Sequence, residues 1–308
     1  MKAPRHFLDL NELSPAVLRR LVDTAHAMKR AGKIVPPELK PDGVEHDILV
    51  MIFEKPSTRT RVSFDVAMRQ LGGQTIVLNH SDLQLGRGES VGDTGKVLSR
   101  YADVIMIRAN HHSSLVELAD NSSVPVINGL TDLSHPCQVL ADIVTFEENQ
   151  GPITGSTVAW VGDGNNVATS WMHAAALLAF KLRIACPGQL RPGKAVIDAA
   201  IKSGADVVVT DDPQEAVSKA DCVVTDTWVS MGQTDETYRK QLLSPYSVDE
   251  KLMAAAGSDA VFMHCLPAYR GHEVTSGVLD GPQSVVWDEA ENRLHAQKAI
   301  LAWCLGAV

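Results

Sequence analysis

The feature that most constrains the fold of this chain is the alternation of short β-branched runs with amphipathic stretches of helical length. Such alternation predicts repeated βα units, in which successive strands pair in parallel and helices cover both faces of the sheet. Strands are expected at Ile48–Phe53, Thr75–Leu78, Val104–Ile107, Val124–Ile127, Thr157–Val161, Leu182–Ala185, Val207–Val209, Cys222–Thr225, Val261–His264 and Val285–Trp287.

The segments between these strands carry the apolar spacing of helices that pack one face against a sheet. The segment Trp228–Tyr246 is the exception, because it is polar and weakly patterned. We predict that it forms a long loop that closes over a bound substrate. Helices are predicted at Pro15–Arg30, Thr58–Leu71, Val91–Tyr101, Val167–Phe180, Lys194–Lys202, Asp249–Ala256 and Glu291–Leu305.

The length of the chain favours two domains. It has 308 residues, and single hydrophobic cores stop growing at roughly 250–300 residues. The polar stretch Glu147–Pro152 interrupts the pattern and is the predicted boundary. We therefore predict an α/β protein with two doubly wound domains, each a mainly parallel sheet flanked by helices. They cover 1–148 and 149–290, and a C-terminal helix at 291–308 packs back on the first domain.

Charge and apolar content argue against several kinds of partner. The net charge of -9 does not provide the basic surface that a nucleic acid requires. No apolar run reaches the ~18 residues needed to span a bilayer, and Met1–Arg5 lacks the apolar core of a signal peptide. We expect a cytoplasmic protein that binds neither nucleic acid nor membrane.

The cysteines and histidines are scattered. The five cysteines are never spaced Cys-x-x-Cys, so reduced thiols are expected rather than disulfides. The eleven histidines show no metal-ligand spacing. We therefore expect no metal and no cofactor.

A cluster of hydroxyls and arginines follows the first predicted strand. Ser57 suits the N-cap of the next helix, which leaves the amides of Thr58, Arg59 and Thr60 without intrahelical acceptors. These donors and the positive end of the helix are suited to an anion. Arg59 and Arg61 beside that positive end are electrostatically unfavourable unless an anion binds. We favour an anion site over the alternative, an ordinary cap with a solvated basic turn.

A second helix start follows the predicted strand Val124–Ile127. Pro136 suits the first helical position, which places His135 at the N-cap and Gln138 three residues further on, as in a capping box. Donors from both side chains at one helix N-terminus could polarise a carbonyl oxygen. A capping pair with no further role is equally compatible with these residues.

The turn Gly162–Asn166 imitates the dinucleotide-binding fingerprint. Val167 stands where the third glycine should be, and Leu182–Ala185 leads into Cys186 rather than the acidic residue that holds a ribose. We interpret the segment as a tight turn that presents Asn166 to the substrate cleft. A nicotinamide dehydrogenase remains the alternative enzyme hypothesis.

Arg108, Asp226 and Cys265 each stand at or just after the end of a predicted strand. The carboxyl ends of parallel strands face the ligand crevice of such sheets, although a strand-terminal arginine is often only a surface charge. His264 and Cys265 are adjacent on an extended backbone and are expected to face opposite sides. A Cys–His nucleophilic pair is therefore not expected, and Cys265 is predicted to be a polar contact or proton partner near Asp226.

Four segments together resemble motifs of the aspartate/ornithine carbamoyltransferase family, and they span nearly the whole chain in the family's order. They are Phe53–Arg61, His135–Gln138, Asp226–Gly232 and His264–Pro267. The last two are similar to the runs of an ornithine-using member. Tyr269 departs from the family, in which histidine is common at this position.

The resemblance implies which residues bind carbamoyl phosphate. The residues implied to hold the phosphate are Ser57, Thr58, Arg59, Thr60 and Arg108. Thr60 and Arg108, together with His135 and Gln138, would also reach the carbonyl oxygen. Gln84 would be lent by a neighbouring subunit. The full set implied is Ser57, Thr58, Arg59, Thr60, Gln84, Arg108, His135, Gln138, Cys265, Leu266 and Arg293.

The resemblance also implies an ornithine site and a catalytic set. The ornithine-binding residues implied are Asn166, Asp226, Ser230 and Met231. The catalytic residues implied are Arg108, His135, Gln138, Asp226 and Cys265, with no metal.

The activity implied by the resemblance is transfer of the carbamoyl group from carbamoyl phosphate to the δ-amine of L-ornithine, giving L-citrulline and phosphate in arginine metabolism. The implied assembly is a homo-oligomer, a trimer with shared active sites. The non-enzymatic alternative is a sensor of one of these small molecules on the same fold. The presence of every polar group that the chemistry needs argues against lost catalysis.

Overall fold

The computed structural model of the chain describes residues 3–79, 88–229 and 235–308. The chain divides into two compact units. Unit 1 comprises Met1–Ala141 with Glu291–Val308, and unit 2 comprises Asp142–Ala290. The division lies within a helix, Pro136–Gln150, and so precedes the polar stretch at which the sequence predicts the boundary.

The strands of unit 1 form one parallel sheet. They are β1 (Ile48–Phe53), β2 (Gln74–Asn79), β3 (Val104–Arg108) and β4 (Val126–Leu130). Their order is β2-β1-β3-β4, so the strand order reverses between β1 and β3. In open α/β sheets a ligand binds outside the carboxyl ends of the strands at such a reversal.

The strands of unit 2 form a second parallel sheet. They are β5 (Thr157–Val161), β6 (Lys181–Ala185), β7 (Asp206–Thr210), β8 (Cys222–Thr225) and β9 (Val261–His264). Their order is β7-β6-β5-β8-β9, and the reversal falls between β5 and β8. The two sheets confirm the predicted α/β class with mainly parallel strands.

Helices connect the strands and cover the sheets. Their apolar faces build cores such as the one under β5 and β8, where Val161, Val223 and Phe262 are fully buried. Short 3₁₀ helices lie at Leu10–Glu12, Pro37–Leu39, Val44–His46, Gly188–Leu190 and Ser244–Tyr246. The α-helices are α1 (Pro15–Ala31), α2 (Thr58–Leu71), α3 (Val91–Leu98), α4 (His112–Asp120), α5 (Pro136–Gln150), α6 (Asn166–Leu178), α7 (Lys194–Lys202), α8 (Pro213–Val217), α9 (Glu236–Leu243), α10 (Glu250–Met253), α11 (Ser276–Leu279) and α12 (Val286–Cys304).

Two predicted elements are wrong. In place of the predicted strand Val285–Trp287, α12 begins at Val286. Its first turn carries Asp288 and Glu289, and acidic side chains stabilise a helix N-terminus. The predicted long loop Trp228–Tyr246 contains α9. Among the described residues, no helix is long and apolar enough to cross a membrane.

A buried lysine in α12 makes the stability of the protein depend on pH. Lys298 is fully buried, its Nζ donates to the carbonyl of Gly32 at 3.2 Å, and burial lowers its pKa from 10.5 to about 8. Between these values the unfolded chain holds a proton that the folded protein releases, so stability rises with pH in that window. Relative to Lys298→Met, we expect the wild type to gain about 1 kcal/mol per pH unit.

Urea unfolding of both proteins between about pH 8 and about pH 10 measures this difference. A constant difference across the window would contradict the lowered pKa of Lys298.

Candidate active site

Helix α2 begins directly beyond β1, at the reversal point of the first sheet. Ser57 is its N-cap, as predicted, and the Ser57 hydroxyl accepts from the amide of Thr60 at 3.3 Å. The first-turn amides of Thr58 and Arg59 therefore stand at the positive end of the helix without intrahelical acceptors. The local sequence determines where the helix begins, because Ser57 is extended and caps an amphipathic run that buries Phe64.

Arg108 ends the neighbouring strand β3 and lies beside this helix start. Its register partner on β1 is Phe53, and the amide of Glu54 donates to the Arg108 carbonyl at 3.0 Å. The strand pairing thus brings Arg108 to the edge of the sheet from which α2 begins.

A third arm of the site comes from α12. Arg293 donates from Nη1 to Gln138 Oε1 at 2.6 Å and from Nη2 to the Thr60 hydroxyl at 3.3 Å. It therefore connects the start of α2 with the start of α5. Thr60, Gln138 and Arg293 are buried, so these bonds form away from bulk water.

The electrostatics of this cluster centre on His135, the residue before α5. His135 is buried, and its pKa lies well below the ordinary value because of burial and then the charges of Arg293, Arg108 and Arg59. The imidazole is consequently neutral at neutral pH. Guanidinium groups around a neutral ring at two helix starts favour an anion.

The structure separates the two arginines of the first motif. The charge of Arg59 helps to lower the pKa of His135. Arg61 is exposed, and its charge helps to lower the pKa of the Asp65 carboxyl instead. Arg59 therefore belongs to the cluster around His135, where the anion is predicted to bind. The site residues brought together in unit 1 are Ser57, Thr58, Arg59, Thr60, Arg108, His135, Gln138 and Arg293.

The second cluster, in unit 2, centres on Asp226 at the end of β8. The Asp226 carboxylate accepts from Asn165 Nδ2 at 2.7 Å and from the amide of Thr227 at 2.7 Å. It also accepts from the Cys265 thiol at 3.0 Å. A buried carboxylate with three donors is held in one orientation, and its charge can attract a cation.

Sequence reasoning missed Asn165. This residue is the N-cap of α6, and its Oδ1 accepts from the amides of Val167 and Ala168 while its Nδ2 reaches Asp226. The available signal was asparagine immediately before a helix, which is a preferred cap. The predicted Asn166 is the first residue of α6 and is half-buried.

Cys265 is a protonated thiol. Burial, followed by the negative charge of Asp226, raises its pKa well above the ordinary value. A thiol is a donor and a weak nucleophile, so the geometry favours the predicted polar contact to Asp226. The other cysteines are free and buried.

The expectation that His264 and Cys265 point apart is wrong. Their side-chain ligand atoms and the carboxylate of Asp226 lie within 4.8 Å of one another, and Cys265 lies beyond the end of β9 at His264. Strand alternation therefore ends at His264. These three groups could hold a metal ion, but both His264 nitrogens are hydrogen-bonded, to Leu266 and Glu273, and a ligating cysteine must lose its proton.

The glycines of the fingerprint-like turn have a local packing role. The amide of Gly164 donates to Leu190 O at 2.9 Å, and a Cβ on Gly164 would lie 2.5 Å from that oxygen. Gly162 has a φ of 129°, which favours glycine. The backbone of the turn therefore accounts for glycine at both positions without a bound dinucleotide.

Three of the predicted site residues, Gln84, Ser230 and Met231, lie outside the described residues. Their roles remain predictions.

Family profiles match both halves of the chain. The profile for the carbamoyl-P binding domain of aspartate/ornithine carbamoyltransferase matches residues 5–148. The profile for the Asp/Orn binding domain of the same family matches residues 154–304.

Similar proteins cover the chain from end to end. An ornithine carbamoyltransferase of Rhodopseudomonas palustris is 61% identical over 305 residues, which are 99% of this chain and 98% of that protein. The solved ornithine carbamoyltransferase of Pyrococcus furiosus is 48% identical, with a TM-score of 0.93 and coverage of 99% of this chain and 98% of that chain. The anabolic ornithine carbamoyltransferase of Campylobacter jejuni is 39% identical, with a TM-score of 0.89 and coverage of 97% and 98%.

Proposed function

We propose that this chain, which belongs to the aspartate/ornithine carbamoyltransferase family, transfers the carbamoyl group of carbamoyl phosphate to the δ-amine of L-ornithine. The products are L-citrulline and phosphate. The observation that carries the proposal is the cluster around His135, a buried residue whose pKa is lowered by burial and by the charges of three arginines. Carbamoyl phosphate offers such a cluster both an anion and a carbonyl oxygen.

In unit 1, different residues suit the phosphate and the carbonyl oxygen of carbamoyl phosphate. The start of α2 and Arg108 suit the phosphate, because they supply amides, hydroxyls and guanidinium charge. Neutral His135 and Gln138 suit the carbonyl oxygen, since they are donors that carry no full charge. The residues proposed for this substrate are Ser57, Thr58, Arg59, Thr60, Gln84, Arg108, His135, Gln138, Cys265, Leu266 and Arg293.

Unit 2 supports a site for an ammonium-bearing amino acid. The oriented carboxylate of Asp226 attracts a cation, and Asn165 and Cys265 keep that carboxylate in place. The residues proposed to bind ornithine are Asn166, Asp226, Ser230 and Met231.

The proposed reaction needs no covalent intermediate. The neutral δ-amine attacks the carbamoyl carbon, negative charge develops on the carbonyl oxygen, and the bond to the phosphate oxygen then breaks while the amine loses a proton. Arg108, His135 and Gln138 stabilise the developing charge. An alkyl amine has a reference pKa near ~10.4, so the site must favour its deprotonated form, and Asp226 with Cys265 orients the amino acid and helps to relay the proton.

Replacement of Cys265 tests that relay. Cys265→Ala removes the thiol donor to Asp226, and we expect kcat/KM for ornithine to fall about tenfold or more, the value of one hydrogen bond to a charged group. Cys265→Ser keeps a donor at the same position and should lose less. Steady-state kinetics against pH measure both. An unchanged rate and pH profile for Cys265→Ala would discard the role.

A citrulline-formation assay tests the proposed function. Carbamoyl phosphate is offered with ornithine, acetylornithine, putrescine and aspartate in parallel, and we expect a ureido product with ornithine. Activity with aspartate alone would overturn the choice of acceptor.

We also propose a homotrimer with shared active sites, located in the cytoplasm and acting in arginine biosynthesis. The family membership supports this assembly through the match at Gln84, which would serve a neighbouring subunit. Sedimentation velocity of the purified protein tests the trimer.

A further inference from the structure

The turn after β9 carries Cys265 and Leu266, and a buried histidine–glutamate pair anchors it. His264 is fully buried and Glu273 is 1% exposed. His264 Nε2 lies 3.3 Å from Glu273 Oε1. Neither residue has a place in the proposed reaction.

The hydrogen bonds determine the tautomer of His264. The amide of Leu266 donates to His264 Nδ1 at 2.9 Å, so Nδ1 carries no hydrogen. In a neutral imidazole the hydrogen is then on Nε2, which donates it to Glu273 Oε1. The ring is thereby an acceptor towards Leu266 and a donor towards Glu273.

Glu273 holds both ends of the turn. Its Oε1 also accepts from the amide of Tyr269 at 2.5 Å, and its backbone carbonyl accepts from Val248 at 2.9 Å. A second carboxylate holds the other side, since the amide of His264 donates to Glu289 Oε2 at 2.8 Å. The turn is therefore fixed to two buried acidic side chains.

The conformation that this pair supports is an unfavourable one. Leu266 has a φ of 58°, in the left-handed region that residues with a Cβ avoid. The bond from its amide to His264 offsets this tendency. The bonds at His264 and Leu266 hold the backbone on both sides of Cys265, whose thiol donates to Asp226 at 3.0 Å.

We propose that His264 and Glu273 are positioning residues for the carbamoyl acceptor: they hold Leu266 in its left-handed conformation and thereby keep the Cys265 thiol on Asp226. This inference rests on the proposed function, because it assigns the pair to the ornithine end of that reaction. It predicts that damage to the pair affects ornithine more than carbamoyl phosphate.

Two amide variants of His264 separate its two bonds. His264→Asn places an oxygen near the position of Nδ1 and can keep the acceptor for the Leu266 amide. His264→Gln places an amide nitrogen near the position of Nε2 and keeps the donor to Glu273, but it leaves the Leu266 amide without its acceptor. We expect kcat/KM for ornithine to fall about tenfold in His264→Asn and about a hundredfold in His264→Gln, with a smaller change in KM for carbamoyl phosphate, for which Cys265 and Leu266 are two of eleven proposed residues.

Two variants of Glu273 provide the matched test from the other side. Glu273→Gln keeps an oxygen that accepts from Tyr269 and His264, so we expect it to retain most of the ornithine activity. Glu273→Leu has a similar volume and no acceptor, and we expect about a hundredfold loss in kcat/KM for ornithine. Thermal unfolding of each variant identifies any that fail to fold.

The wild-type protein assayed alongside separates the two claims. If the wild type forms no citrulline, the proposed function fails. If the wild type is active but the folded variants lose kcat/KM for both substrates in parallel, or each pair of variants behaves alike, the positioning role is overturned. If the two variants at one position do not fold, the two variants at the other position decide. If no variant at either position folds, His264 and Glu273 serve folding and the positioning role is likewise rejected.

Discussion

Replacement of Arg59 by glutamine is expected to lower kcat/KM for carbamoyl phosphate by about a thousandfold, while the protein stays folded. Arg59 stands in the first turn of α2 and acts on the buried His135. A guanidinium on a phosphate supplies two or more charge-assisted hydrogen bonds of roughly 1.5–3 kcal/mol each. Because glutamine keeps much of the length of the side chain but not its charge, the loss reports on charge.

The matched control is Arg61→Gln, two residues along the same helix. Arg61 is exposed, so its replacement should change kcat/KM by less than about threefold. Arg59→Gln should also raise the pKa of His135, because the Arg59 charge helps to lower it, and histidine NMR against pH measures that change. Equal losses in the two variants would contradict the assignment of Arg59 to the anion.

The second large effect is expected at Asp226. Asp226→Asn should lower kcat/KM for ornithine by about a thousandfold, since an ammonium group loses its charged partner and one of the two oxygens that accept from Asn165, Thr227 and Cys265 is replaced by a donor. Calorimetric binding of carbamoyl phosphate to the same variant should fall far less, because all the residues proposed for that substrate except Cys265 and Leu266 belong to unit 1.

Asp211→Asn is the control for this variant. Asp211 is an exposed carboxylate of unit 2, so the same loss of one charge there should leave ornithine kinetics within about twofold. If Asp226→Asn lost carbamoyl phosphate binding and kept ornithine use, the assignment of the two substrates to the two clusters would be reversed.

Local sequence was sufficient for most of the sheet and for one arm of the site. Strands such as Ile48–Phe53 and Thr157–Val161 have the predicted bounds, because continuous β-branched and apolar runs bounded by polar turns are characteristic of buried parallel strands. The N-cap at Ser57 followed in the same way from a hydroxyl residue before an amphipathic run.

The remaining parts of the site depend on contacts between distant residues. The bonds from Arg293 to Gln138 and Thr60 join three helices, and no local pattern encodes that convergence. Arg293 was predicted from the family resemblance and not from the spacing of residues in the sequence. The pair of His264 and Glu273 was likewise invisible, since it requires the turn at Leu266 that ends the strand alternation.

The start of α12 illustrates the opposite error. Val285–Trp287 is apolar and β-branched, which favours a strand, but three residues are few for that conclusion. The acidic residues of the next turn stabilise a helix N-terminus. The conformation of a short apolar run therefore depends on the residues that flank it.

The most direct test of the proposed transfer detects the new bond itself. Carbamoyl phosphate labelled with ¹³C is incubated with the protein and with ornithine labelled with ¹⁵N at the δ position, and the product is observed by NMR. We expect one ureido carbon signal split by one-bond coupling to the δ nitrogen, formed in step with phosphate release. Phosphate release without that coupling, or coupling absent because the carbon is attached to the α nitrogen, would contradict the proposed reaction.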